Sequence, residues 1–138
     1  MKTKTLESMV KDYERRTGER VSFDGFYFDE QNNFKDEYNE HFQFFPGAGF
    51  LFWGILEYND KKVFNILQTY GDMKVIGRYI VDVMRQNDLT QIIVATARNT
   101  KGFIKKWTMT RIPELDYRYY GREYKLLTTT IDHLIETL

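Results

Sequence analysis

Residues 63–97 read VFNILQTYGDMKVIGRYIVDVMRQNDLTQIIVATA, and the spacing of their apolar residues changes twice. Val63 to Tyr70 has the composition of an extended strand. Val75, Ile76, Tyr79, Ile80, Val83 and Met84 then trace one face of a helix from about Met73 to Gln86. Gln91 to Ala97 is a short, continuous apolar run, the pattern of a strand covered on both faces in a parallel pair. Strand, helix and strand in this order predict a right-handed βαβ unit with 63–70 parallel to 91–97.

Upstream, Phe50 to Tyr58 reads as a strand, and Asn59-Asp60 supplies the turn of a hairpin into residue 63. Phe34, Tyr38, Phe42 and Phe45 recur at helical spacing, so residues 33–44 are expected to form a helix ended by Pro46-Gly47-Ala48-Gly49. Val21 to Phe28 is expected to be a short strand or extended loop. Leu6, Met9, Val10 and Tyr13 make the stripe of a first helix, stopped at Thr17-Gly18. Downstream, Phe103, Ile104 and Trp107 are expected to face inward from a short helix. Leu115 to Tyr119 and Glu123 to Leu127 flank Tyr120-Gly121 as a hairpin with one wet face. Thr130 caps a last helix carrying Ile131, Leu134, Ile135 and Leu138. Trp53 and Trp107 are expected in the core. The fold class is α+β: a mixed, mainly antiparallel sheet with one parallel pair, flanked by helices, in a single domain over 1–138.

Composition removes several chemistries. The 138 residues contain no cysteine, which excludes disulfides, thiolate metal sites and thiol nucleophiles. The two histidines, His41 and His133, would need carboxylates to hold zinc, and no metal site is expected. The longest nearly uncharged run, Gly47 to Leu56, is about half of a bilayer span. The N-terminus lacks a secretory pattern, so a cytoplasmic protein with no membrane partner is expected. There is no Ser-His-Asp elbow, P-loop or His-x-x-x-His spacing.

The chain carries 20 basic and 20 acidic residues, unevenly placed. Residues 98–125 contain Arg98, Lys101, Lys105, Lys106, Arg111, Arg118, Arg122 and Lys125 against Glu114, Asp116 and Glu123, whereas residues 1–60 are acidic. This asymmetry suits an anionic ligand near the C-terminal half, or two complementary halves of one fold. Gln68-Thr69-Tyr70-Gly71-Asp72-Met73 lies where strand hands over to helix. Free N–H groups at a helix start can bind a pyrophosphate. A plain turn with Gly71 at positive φ and Asp72 as N-cap accounts for the same residues. Glu57, Asp60, Asp72 and His41 are candidate general bases, although turn carboxylates are ordinarily just solvated. Tyr117, Tyr119, Tyr120 and Tyr124, with Arg118 and Arg122, could stack nucleic-acid bases or form one packed sheet face.

The element order and the Gln68-x-x-Gly71 spacing resemble the GCN5-related N-acetyltransferases (GNAT family) over roughly residues 34–130. The short basic helix and Tyr120-Gly121-Arg122-Glu123-Tyr124-Lys125-Leu126-Leu127 look like small GNAT-like domains encoded by bacteriophages. The resemblance implies an acyl-CoA-dependent N-acyltransferase with an amine acceptor, in a bacterial host cytoplasm if phage-encoded. Acetyl-CoA or another acyl-CoA would place its pyrophosphate over Gly71, Asp72, Met73 and Lys74, and its pantetheine arm along strand 63–70 beside Gln68. Asn99 matches a family Asn after the next strand, and Lys101, Lys105 or Lys106 would meet the adenosine phosphate. His41 or Glu57 would serve as base and Tyr120 as acid. Met73 stands where the family carries Gly or Ala, and Lys106 where it carries an aromatic, often Tyr. Those departures motivate a second reading, a non-catalytic phage interaction or virion-associated protein on the same scaffold. A nucleic-acid-binding module is a third.

Overall fold

The computed structural model describes residues 6–18, 40–119 and 121–138. The elements are α1 (Leu6–Thr17), β1 (Glu40–Phe45), β2 (Gly49–Tyr58), β3 (Lys61–Gly71), α2 (Met73–Gln86) and β4 (Gln91–Thr96). They continue with α3 (Lys101–Trp107), β5 (Thr110–Arg111), a 3-10 turn (Pro113–Leu115), β6 (Tyr117–Tyr119), β7 (Arg122–Thr130) and α4 (Ile131–Thr137). The sheet runs β1-β2-β3-β4-β7-β5, with β6 also on β7. Every pairing is antiparallel except β3 with β4. The fold is α+β, and the parallel pair bridged by α2 lies where the change of period places it.

The β2–β3 hairpin turns on Asn59 and Asp60, both at positive φ (52° and 62°). Two consecutive left-handed residues give the turn whose twist matches paired strands. At the other end of β3, Gly49 faces Gly71. A Cβ on Gly71 would lie 1.9 Å from the Ala48 carbonyl oxygen, and one on Gly49 1.9 Å from that of Tyr70. Only glycine allows this approach, which Asp72 N–H to Ala48 O (2.9 Å) then closes.

The helix expected over residues 33–44 is not what the described part of that segment forms. Residues 40–45 are strand β1, and residues 33–39 lie outside the described residues, as does the strand expected over 21–28. Phe42 and Phe44 pack toward Phe50 and Phe52, while His41 stacks on Trp53 and Phe45 packs with Tyr79. Two faces at every second residue is a strand pattern. Aromatic residues at both periods made the segment ambiguous, and Pro46-Gly47-Ala48 is a hairpin turn instead of a helix stop.

Two cores lie on opposite faces of the sheet. The larger joins α2, α3 and α4 to the sheet through Trp53, Phe64, Ile76, Ile80, Phe103, Trp107 and Leu134. Trp53 and Trp107 are both buried. The Trp107 indole N–H donates to Met73 O (3.0 Å), fixing α3 against the start of α2. Ile104 departs from expectation: it is 44% exposed, because the seven-residue helix buries only Phe103 and Trp107. Ile135 on α4 is exposed as well.

The smaller core seats Met9, Val10 and Tyr13 of α1 on Phe50 and Phe52. Polar contacts tie this helix down at its C-terminus and at its middle. Arg122 donates to Thr17 O (2.7 Å) and Gly18 O (2.8 Å), satisfying carbonyls at the C-terminus of α1. Arg122→Ala should therefore cost about 1–2 kcal/mol, read as a lower urea midpoint with unchanged slope.

At mid-helix, Tyr70 donates its hydroxyl to Asp12, which also pairs with Arg15 and Arg16. The Tyr70 hydrogen bond, with help from the two arginines, holds the Asp12 carboxyl below its ordinary value against an opposing effect of desolvation. A depressed folded pKa stabilises above the unfolded value, and that stability is lost as pH falls through the folded one. Wild type should lose its advantage over Asp12→Asn when denaturant midpoints are compared from neutral pH down through the carboxylate range.

Candidate functional site: a cleft where the parallel strands part

β3 and β4 share only three register pairs, Phe64 with Ile92, Asn65 with Ile93 and Ile66 with Val94. Beyond Ile66 the register of β3 against β2 shifts, leaving Leu67 without an opposite residue. Such a bulge sharpens strand twist. β3 then continues beside β2 to Gly71, while β4 follows β7 to Thr96. The gap opens at the C-terminal ends of the parallel strands, the side on which open sheets of this kind hold ligands.

A cleft of about 810 Å³ occupies that gap. Tyr13, Arg16 and Thr17 of α1 line one wall. Gly47, Ala48 and the end of β3 from Thr69 to Gly71 line the next. Met73, Arg98, Asn99, Gly102 and Phe103 close the opposite side. This volume is within the range of small-molecule sites.

Arg98 spans the parting strands. Its guanidinium donates to Thr69 O (3.1 Å), a carbonyl that β4 does not reach, and its backbone N–H donates to Thr96 Oγ1 (3.0 Å). The guanidinium carbon lies 5.3 Å from the Tyr13 ring centre and 5.5 Å from that of Phe103, within cation–π range of both. Across the cleft, Arg16 lies over Tyr70 at 6.0 Å and pairs with Asp12. No carboxylate or imidazole is among the described lining residues.

Of the residues singled out from sequence, Gly71, Met73 and Asn99 line this cleft, and Gln68 is buried in β3 beside it. Asn99 accepts from Lys101 N–H (2.9 Å) at the start of α3. Asp72 is the N-cap of α2, accepting from the N–H groups of Lys74 (2.9 Å) and Val75 (3.3 Å). Lys74, Lys101, Lys105 and Lys106 are exposed and do not line the cleft. His41 is stacked on Trp53 at 4.2 Å, in β1. Glu57 pairs in register with Lys62 at the opposite end of the hairpin from Gly71. Nine residue steps along the strand separate Lys62 from Gly71, roughly 30 Å. Asp60 is in the same distant turn, and Tyr120 lies outside the described residues. In the β6–β7 hairpin Tyr117 stacks on Tyr124, Tyr119 is exposed, and Arg122 is engaged by α1.

Acyl-CoA, the cofactor that the resemblance implies, does not fit this donor set at the helix start. Two of the first N–H groups of α2 are held by the protein's own Asp72 carboxylate, a third near neighbour by Ala48 O, and the Asp72 charge would oppose a pyrophosphate. The cations that line the cleft, Arg16 and Arg98, face it from its other walls. Sequence reasoning missed Tyr13, Arg16, Thr17 and Thr69. The position of Tyr13 in an apolar stripe was the available signal, but it signals core equally well. No protein-family profile and no curated protein sequence matches this chain.

Among the described residues no group of three or more His, Asp or Glu could hold a metal ion, and no helix is long and apolar enough to cross a membrane.

Proposed function

We propose that this protein is a GNAT-like domain that binds a small ligand in the β3/β4 cleft without transferring an acyl group, an interaction module on an acyltransferase-like scaffold. The observation that carries this reading is the make-up of the cleft. It combines a ligand-sized volume with two arginines, hydroxyls and apolar side chains, and no carboxylate or imidazole is among the described lining residues. Attack by an amine on a thioester requires removal of an ammonium proton. Glu57 lies at the opposite end of the hairpin from Gly71, and neither it nor His41 lines the cleft.

Acyl-CoA-dependent N-acyl transfer is the second reading. One observation favours it: beyond Ile66 the β4 side of β3 has no strand partner among the described residues, and an extended arm could pair there. Two experiments separate the readings. Phenylnaphthylamine, a neutral apolar dye, should bind wild type with saturable fluorescence, and Gly102→Phe should abolish it by filling the cleft without changing far-ultraviolet circular dichroism. The backbone at Gly102 has room for a side chain: a Cβ there would meet Met73 Sδ at 3.8 Å as its nearest neighbour. Acetyl-CoA incubated with the protein and spermidine or a lysine peptide should release no CoA above the blank. Protein-dependent CoA release would overturn the binding-only reading in favour of the transferase.

A further inference from the structure

We propose that the cleft takes an amphiphilic anion, a carboxylate or phosphate monoester joined to an apolar chain or ring, and that Arg98 is the residue that reads its charge. The inference rests on the cleft being a ligand site, as above, and adds the ligand's chemistry.

Three observations carry it. First, the charge on the described lining is of one sign: Arg16 and Arg98 line the cleft and no carboxylate does. Second, Arg98 is oriented in advance. Its guanidinium lies over the rings of Tyr13 and Phe103, and Thr69 O fixes one of its terminal nitrogens. A guanidinium carries five N–H donors in a planar fork, so donors remain for a planar or tetrahedral oxyanion. Among the described residues no ion pair reaches Arg98, whereas Arg16 already has Asp12. Third, Thr69 is 5% exposed, lines the cleft, and its Oγ1 has no hydrogen-bond partner among the described residues. A buried hydroxyl left unbonded is costly, and a rotation of the Thr69 side chain toward the cleft would let a ligand oxygen beside Arg98 satisfy it. The apolar remainder of the ligand would lie along Met9, Met73 and the two rings.

The test uses two dyes with the same arylamine body, phenylnaphthylamine and its charged counterpart anilinonaphthalene sulfonate. Wild type should bind the sulfonate at least about tenfold more tightly than the neutral dye, a difference of about 1.4 kcal/mol. Added salt should narrow the gap. Arg98→Gln should bring the two affinities together while leaving the neutral dye bound. Octanoate and octyl phosphate should each displace the sulfonate, octanamide should not, and the tighter of the two identifies the carboxylate or phosphate source. Equal affinities for the dyes, or a preference that survives Arg98→Gln, overturns the anion assignment. If Gly102→Phe still removes the neutral dye in that case, the cleft reading stands without it. If Gly102→Phe changes neither dye, both fail. Should Arg98→Gln not fold, Thr69→Val carries the test. Removing an unbonded buried hydroxyl should leave thermal stability equal or higher and weaken the sulfonate alone. Unchanged sulfonate affinity in that variant overturns the assignment.

Discussion

Gly71→Val should yield no soluble, cooperatively folding protein. Gly71 sits at φ +116°, a region that a β-branched residue does not adopt without strain of about 1–3 kcal/mol. Its missing side chain matters more. The nearest atom to a Cβ is backbone, Ala48 O at 1.9 Å, with the Gly49 Cα at 2.6 Å. Backbone cannot swing aside as the end of a flexible side chain can. The β2–β3 ladder would have to part at its end, and with it the Asp72–Ala48 hydrogen bond that starts α2. Gly71→Ala removes the branching but keeps the clash, so it should also be severely destabilised. Expression in the soluble fraction and a thermal melt check both. A Gly71→Ala variant melting within a few degrees of wild type would show that the turn can relax. For the same reason Gly71 variants are no test of ligand binding, since the glycine is required before any ligand arrives.

Trp107→Ala should cost about 3–5 kcal/mol, the range for deleting a buried aromatic side chain. Trp107 is 0% exposed, packs against Phe103 at 5.8 Å, and its indole N–H holds Met73 O. The alanine variant loses the volume and leaves that carbonyl without its donor. Trp107→Phe keeps much of the volume and loses the hydrogen bond, so it should cost less, with about 1 kcal/mol traceable to the bond. The drop in melting temperature should be roughly 10–15 °C for alanine at this chain length. Equal melting points for the two variants would mean that the cavity contributes nothing and that packing under α3 is loose. Met73 also lines the cleft, so Trp107→Ala should loosen ligand binding while Gly102 remains untouched.

Much of this fold could be read from the chain because its clearest signals are local. The switch from strand to helix spacing at Gly71, and back at Gln91, needs no tertiary information. The same is true of Asp72 and Thr130, which cap α2 and α4 through their own following N–H groups. Residues 40–45 misled because Phe42 and Phe45 satisfy a helical spacing while Phe42 and Phe44 satisfy a strand, and only pairing with β2 decides. The cleft was half legible. Gly71, Met73 and Asn99 lie near one another along the βαβ unit, so a motif can collect them. Arg16 and Thr17 reach the same space from a helix more than fifty residues earlier, and nothing in their local pattern announces it. Arg98 was visible only as one charge in a basic run. Its role comes from the divergence of two strands, a property of the register and not of the residue.

The two hydrogen bonds from Arg122 join the ends of a very long stretch of chain, residues 17 and 18 to residue 122. Contacts between sequence-distant residues carry the largest closure entropy and are gained last in folding. The hairpins and the βαβ unit can form from near neighbours, and α1 can rest its apolar face on β2, but its last turn is not fastened until β7 is in place to offer Arg122. The order of assembly thus leaves the last turn of α1, where Arg16 and Thr17 line the cleft, for the end. An early folding species should have β2, β3, β4 and α2 protected from amide exchange while the last turn of α1 still exchanges freely. A chain whose β7 has not yet been made would therefore lack the two hydrogen bonds that fix the end of α1 along its wall of the cleft.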